Sequence, residues 1–353
     1  MKNLRKDIFK INKTSKKAVK RKKEEYRHGI IQDMNIKKSD EKLFWKLLDK
    51  LKTTQRENYK THIPGKRWNE HFKEVLSNND VNSVPADLPE NGVLDYLITI
   101  EEIKKAAYIL KLDKASGYDS VSNEMILSLL EVKPHLLVKL FNEIFRRNQK
   151  IDLWSIALIT PIFKSGVKTN PGNYRGISVL SCFGKLYTSV LNQRLLKFVL
   201  DKNILSEQQL GFVAGNRTSD AHLILHNLIQ HYCHKKGQKI FSCFVDFQKA
   251  FDSVPRNIRF KKLSNVGING IFFNNLKTLY NNDICRVKLD NGLTKAFYAN
   301  QGVKQGVILS PLLFNLYLAD LPACLSGSEY NPVKIHETRL ISCVAWADDI
   351  VVL

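Results

Sequence analysis

The sequence predicts an α+β protein, and three observations carry that expectation. Between about residues 99 and 148 apolar residues recur at helical spacing, with a capping-box start at Thr99 and Glu102. From Ile156 the period shortens to two apolar runs, ALITPIF and ISVLSC, separated by KSGVKTNPGNYRG, which reads as a hairpin with a basic tip. Two further apolar runs, in Lys239–Val254 (KIFSCFVDFQKAFDSV) and Cys343–Leu353 (CVAWADDIVVL), read as strands that end on acid.

Composition sets the bounds. The chain has 353 residues, 44% of them hydrophobic, enough for two or three domains with a buried core. Its 55 Lys and Arg against 34 Asp and Glu leave a net charge of +21, which favours a polyanionic partner through counterion release. A membrane surface would attract the same charge. No run of 18 or more apolar residues is evident, and the start MKNLRKDIFKINK lacks the apolar stretch of a signal peptide. The expectation is an intracellular protein, nuclear or cytoplasmic, neither secreted nor membrane-bound. The six cysteines are dispersed and read as small buried thiols. His231, Cys233 and His234, and the pair His222 and His226, lack the complementary ligands of a zinc site and read as structural.

Three segments follow in order. Residues 1–90 form a basic helical arm and linker, with the run KKAVKRKK and an apolar stripe of Leu43, Phe44, Leu47, Leu48 and Leu51. A second helix is expected near Trp68–Leu76, and the polar stretch Ser77–Gly92 is the best domain boundary. Residues 91–238 carry helices and the basic hairpin, where Lys164 and Arg175 are placed to meet phosphate or are plain surface charges. GFVAGNRTSD lacks the Gly-Lys-Ser/Thr ending of a phosphate loop, and its Thr218–Asp220 reads as a helix cap. In residues 239–353, KAFD reads as a tight turn, Pro255 opens a helix that Gly267 closes, and another spans about Ile271–Tyr280. A hairpin turning at Asn291-Gly292 precedes a turn at Gln305 and Gly306 and an apolar helix.

The chemistry centres on three carboxylates. Asp348 and Asp349 sit side by side at a hairpin tip, where like charges repel unless cations are present, although Asp also favours ordinary turns. Asp246 ends the earlier strand. If that strand pairs with the 341–347 strand, three carboxylates meet on one sheet edge. Such a set can hold two Mg²⁺ ions about 3.5–4 Å apart, the arrangement of in-line phosphoryl displacement and thus nucleotidyl transfer.

Five blocks in this order resemble the reverse transcriptases of non-LTR retrotransposons, the LINE-type and jockey-type elements. They are ITPIFKSGVKTNPGNYRGISVLSCFGKLY, QQLGFVAGNRTSD, FVDFQKAFDSV, GVKQGVILSPLLFNLY and AWADDIVVL, and the likeness covers roughly residues 100–353. The resemblance implies a right-hand polymerase fold with fingers and a partial palm, an antiparallel palm sheet with helices, and no thumb. It makes Asp246, Asp348 and Asp349 the metal-binding catalytic carboxylates, with the Phe247 carbonyl as a further ligand for Mg²⁺ or, alternatively, Mn²⁺. It places Lys164 and Arg175 on the incoming triphosphate, Phe251 against the sugar, and Gln305 and Gly306 in the nucleotide pocket. Phe212 and Arg217 would touch the template, and Trp346 the primer end. Implied partners are an RNA template, a DNA primer or target, and dNTPs.

Departures accompany the likeness. Trp346 stands where Tyr or Phe is usual, Gly176 where Pro is common, and Val307-Ile308 replace a frequent Cys-Pro. The remaining palm, the thumb and an N-terminal endonuclease would be missing, so the chain is expected to be a fragment. Two other readings compete: a catalytically inactive nucleic-acid-binding remnant, and a two-metal nuclease using the same carboxylates.

Overall fold

The computed structural model describes residues 63–77, 92–234, 239–281, 283–290, 292–304, 306–327, 332–336 and 339–353, with a few positions between 22 and 33. Ile63–Leu353 makes one compact unit. Nearly all of the basic run, the stripe at 43–51 and the inside of the 77–92 linker lie outside the described residues.

Helix α1 (Gly65–Leu76) follows Pro64 and buries Trp68 and Phe72, one turn apart. Their rings stack at 5.9 Å, and Trp68 meets Tyr174 edge-on at 4.8 Å. Helix α2 (Ile100–Ala107) starts with the expected capping box: the Glu102 N–H donates to Thr99 Oγ1 and the Thr99 N–H to Glu102 Oε2. Its buried face is Ile103, Ala106 and Ala107. Helices α3 (Asn123–Val132) and α4 (Pro134–Arg147) are separated by Lys133, because Pro134 can open a helix but cannot continue one. The short α5 (Asp152–Ser155) leads into β1 (Ile156–Phe163), which pairs antiparallel with β2 (Tyr174–Val179) from Leu158↔Val179 to Phe163↔Tyr174. The basic-tipped hairpin is therefore as expected.

Helix α6 (Cys182–Asp201) buries Leu186, Tyr187, Val190, Leu191 and Leu195, so it runs through the core rather than over it. Its Arg194 is buried, and its guanidinium donates to both carboxylate oxygens of Glu102, at 2.6 and 2.7 Å, and to the Tyr96 and Leu97 carbonyls. Burial would raise the Glu102 pKa, but the hydrogen bonds from Arg194 and Thr99 and the Arg194 charge outweigh it and hold it below the usual value.

Helix α7 (Thr218–Cys233) begins where expected, with Asp220 accepting the Arg217 N–H at 2.6 Å. Strand β3 (Cys243–Asp246) is shorter than the run from Ile240 suggested. KAFD is the start of a short helix, α8 (Ala250–Ser253), rather than a bare turn. Helices α9 (Arg256–Asn265) and α10 (Gly270–Tyr280) flank Gly267.

Strand β4 (Asp283–Leu289) lies parallel to β1 and antiparallel to β5 (Gly292–Leu293) and β6 (Phe297–Ala299). The hairpin expected in this region is thus part of a five-stranded sheet ordered β2-β1-β4-β5, with β6 also on β4. The register pairs Leu289 with Gly292, so Gly292, at φ +126, opens the returning strand instead of closing the turn.

Leu309–Ser326 has a mean hydropathy of 1.2, although polar residues interrupt it and it is not an unbroken apolar run. It is divided into α11 (Leu309–Tyr317) and α12 (Leu321–Ser326), and Leu309, Leu312, Leu313, Phe314 and Leu316 are buried in the core. The chain ends in β7 (Val333–His336), β8 (Arg339–Ile341), β9 (Cys343–Trp346) and β10 (Asp349–Val352).

Only three of the six cysteines are the buried thiols expected. Cys182, Cys285 and Cys343 are buried, but Cys233, Cys243 and Cys324 are exposed, because they lie at a helix end, on an edge strand and on an outer helix face. Burial, helped by the neighbouring Asp283 charge, pushes the Cys285 thiol up to about 12.

Candidate active site

The carboxylate-bearing sheet is three-stranded, ordered β3-β10-β9. The expected partner of β3 was the 341–347 strand; the observed partner is the return strand, β10, with Asp246↔Asp349, Val245↔Ile350 and Phe244↔Val351. Because β10 also pairs Asp349 with Trp346, the residues Asp246, Asp349 and Trp346 form one row across the sheet. Side chains in such a row share a face, with neighbouring Cβ atoms about 4.5–5.5 Å apart. The opposite face, Val245, Ile350 and Ala345, packs against Leu318, Leu321 and Leu325. This alternation turns the acids outward: a one-residue slip would bury them and expose Ile350.

Asp348 stands in the two-residue turn between Trp346 and Asp349. The turn's first residue, Ala347, has φ +59, which for a residue with a Cβ costs about 1–2 kcal/mol. Asp246 and Asp349 are exposed and Asp348 half-buried, and among the described residues no cation pairs with any of them. Nor do three His, Cys, Asp or Glu side chains converge as a ligand set among the described residues. What the site offers is an opposed carboxylate pair with a third acid beside it. An all-oxygen donor set of this kind fits Mg²⁺, which is usually held by one or two carboxylates and keeps its other positions for water and substrate phosphate.

A segment more than 130 residues earlier in the chain holds this hairpin. The Leu210 N–H donates to the Ala345 carbonyl at 2.8 Å and the Ala345 N–H to the Gln208 carbonyl at 2.9 Å, so residues 208–210 lie alongside β9. Gln208 Oε1 accepts the N–H groups of Ser342 and Cys343, each at 2.9 Å. Gln209, itself buried, binds both backbone groups of Ala347: Oε1 accepts its N–H at 3.1 Å, and Nε2 donates to its carbonyl at 3.2 Å. Two hydrogen bonds of about 0.5–1.5 kcal/mol each match the cost of the turn's positive φ. Gly211 follows, and a Cβ there would lie 2.1 Å from the Ala347 nitrogen. Asn315 of α11 donates to the Gly211 carbonyl at 2.8 Å. The only sign in the sequence was a Gln-Gln pair immediately before Leu-Gly-Phe.

The other predicted residues fall around this centre. Phe251 is half-buried, stacked on Phe314 at 4.8 Å and 9°, with Phe212 edge-on at 5.8 Å. Phe212 has φ +59 and is about half exposed, as is part of Phe247; Arg217 is exposed. Trp346 is partly buried against the apolar cluster that includes Leu210 and Val344, so its ring belongs in part to the hydrophobic support of β9. Lys164 and Arg175 are exposed at the hairpin tip, where the Lys164 N–H donates to the Asn173 carbonyl at 2.9 Å. Gly306, at φ +103, lies where a Cβ would meet the Ser178 carbonyl of β2 at 2.8 Å, which brings this loop onto the basic hairpin. Gln305 lies outside the described residues. At Gly176, where the resembled family often has Pro, the Phe72 ring of α1 occupies the space a side chain would take.

The loop before Gly306 rests on a buried ion cluster that was not foreseen. Asp283 pairs with Arg256 at 2.9 Å and with Lys304 at 2.7 Å, while Arg256 also donates to the carbonyls of Ala299, Gln301 and Gly302. These groups are far apart in sequence and carry no local motif.

Known proteins share sequence with much of this chain. The family described as reverse transcriptase (RNA-dependent DNA polymerase) matches residues 163–353. A probable RNA-directed DNA polymerase from transposon BS of Drosophila melanogaster is 29% identical over 259 residues, covering 72% of this chain and 28% of that protein. The RNA-directed DNA polymerase from mobile element jockey of Drosophila funebris is 27% identical, covering 72% and 27%. A 149 kDa protein of transposon TX1 from Xenopus laevis is 25% identical over 74% of this chain and 20% of its own length. The chain thus spans about a quarter of the curated relatives it matches. A solved telomerase from Candida albicans aligns with 62% of this chain and 42% of its own at 13% identity, with a TM-score of 0.38.

Proposed function

Since the chain belongs to the reverse transcriptase (RNA-dependent DNA polymerase) family, we propose that it is the polymerase domain of a non-LTR mobile element, extending a primer with dNTPs along an RNA template. The observation that carries this reading is the opposition of Asp246 and Asp349 across two strands, with Asp348 in the adjoining turn. The basic hairpin and the five-stranded sheet act as fingers, and the three-stranded sheet as the palm of a right-hand fold.

In the reaction the primer 3′-hydroxyl gives up its proton to solvent, its oxygen bonds to the α-phosphorus of the dNTP, the bond to the bridging oxygen breaks, and pyrophosphate leaves. Divalent ions, Mg²⁺ or Mn²⁺, would stabilise the attacking and leaving oxygens. Asp246, Asp348 and Asp349, with the Phe247 carbonyl, would hold them. Lys164 and Arg175 meet the triphosphate charge, Arg through its bidentate fork. Phe251, braced by Phe314, presents a rigid edge to the sugar and excludes a 2′-hydroxyl. Gln305 and Gly306 let backbone approach the nucleotide, Phe212 and Arg217 meet the template, and the exposed part of Trp346 meets the primer end. The protein works inside the cell, in nucleus or cytoplasm, with RNA, DNA primer and dNTPs as partners.

The test is primer extension on RNA, with the full-length polypeptide that carries this sequence. Asp348→Asn should lower incorporation by about a thousandfold or more, equivalent to roughly 4 kcal/mol of transition-state stabilisation. Activity that survives this change would refute the site assignment.

A further inference from the structure

The turn that carries Asp348 has little support of its own. It consists of Ala347 and Asp348 alone, and Ala347 sits at φ +59 without being glycine. What holds it comes from 138 residues earlier in the chain: the Gln209 amide takes the N–H of Ala347 on its oxygen and gives a hydrogen to the carbonyl of the same residue. The same oxygen accepts the Gly211 N–H at 3.0 Å, which locks the amide's orientation. Satisfying an N–H and a C=O of one residue takes a group with a donor and an acceptor side by side, which a primary amide supplies and a carboxylate or hydrocarbon does not. Close approach is enforced as well, since only a residue without a Cβ fits at 211 against the Ala347 nitrogen.

We infer that Gln209 is a positioning residue for polymerisation: its amide sets the backbone of Ala347 and so aims the Asp348 and Asp349 carboxylates at a shared divalent cation. The inference rests on the proposed polymerase reading. Gln209 touches neither nucleotide nor metal; it acts through the turn. Gln208, its neighbour, binds Ser342 and Cys343 at the far end of β9 and serves as an internal comparison, since it ties down the same strand away from the tip.

The test compares Gln209→Met, which keeps the length and loses the amide, with Gln208→Met. Loss of a partner that orients metal ligands costs about 10–100-fold in affinity or activity. Gln209→Met should lower kcat for single-nucleotide incorporation by about that factor, with KM for dNTP within about threefold. Mn²⁺ titration followed by electron paramagnetic resonance should show affinity weakened by about tenfold or more. Gln208→Met should lower Tm at least as much, with kcat per folded molecule within about threefold. If Gln209→Met does not fold, Gln209→Asn, whose amide stops one methylene short, should show the same pattern at smaller size. Equal kcat losses in the two variants, in proportion to Tm, would overturn the inference, as would unchanged Mn²⁺ affinity in Gln209→Met. A wild-type chain that binds Mn²⁺ but incorporates nothing defeats the polymerase reading, and the Mn²⁺ comparison then decides the role of Gln209 by itself.

Discussion

The five-stranded sheet and the three-stranded sheet belong to one compact unit but are supported in different ways. β4 lies against α1 and β1 follows the short α5, with Ala157, Ile159, Cys285 and Val287 buried in the largest apolar core. In β3, β10 and β9 the core is small: Cys343, Ala345 and Ile350 on one face, and on the other a cluster around Leu210, Leu228 and Val344. β3 is an edge strand whose Phe244 is 73% exposed. The first sheet is held by hydrophobic burial, while the second depends on backbone hydrogen bonds to Gln208, Gln209 and Leu210. The difference shows how a site can keep three acids near solvent: apolar packing that would cover them is replaced by directed polar contacts along β9 and at the turn.

The sharpest way to break this contrast is on the scaffold side. Arg194→Ala leaves the Glu102 carboxylate and the Tyr96 and Leu97 carbonyls without their buried partner, and should cost about 3–5 kcal/mol in denaturant unfolding. Incorporation per folded molecule should be unchanged; a stability loss below about 1 kcal/mol would mean that this clamp does not secure the scaffold. On the site side, Arg175→Ala should raise KM for dNTP by about tenfold or more through loss of a charge-assisted contact, with little change in stability. A fall in kcat at constant KM would place Arg175 elsewhere in the cycle. The smallest effect is set by pH. The Glu102 pKa is lowered from 4.5 in the folded state, so its ionised form adds stability above pH 4.5, which is lost as pH falls through the folded value. The Tm difference between wild type and Glu102→Gln should be steady near neutrality and shrink below about pH 4.5; a gap that persists into acid would contradict the clamp.

Much of the fold was legible because it is local. The Thr99–Glu102 capping box, the β1–β2 hairpin and the break between α3 and α4 at Pro134 depend on residues close together in sequence. The site was legible in part: a strand ending on Asp246 and a two-strand turn bearing Asp348 were expected, but β3 was assigned to the wrong neighbour. Period-two alternation tells which residues share a face and not which strand lies alongside. The exposed Cys243 follows from the same ambiguity, since an apolar run reads alike on an edge and in the centre of a sheet. Gln209 and the Asp283 cluster escaped because a lone amide or carboxylate carries no pattern until its distant partner is known.

By itself, then, the sequence determined the helix starts, the hairpins, the strongly basic charge and three acids at strand ends, all products of neighbouring residues and composition. Tertiary structure decided that β10 separates β3 from β9, that Asp349 rather than Asp348 faces Asp246, and that an amide from 138 residues away holds the turn between them. The physical reason is that strand order and buried polar pairing are settled by which surfaces exclude water together, and that choice is made only when the whole chain has folded.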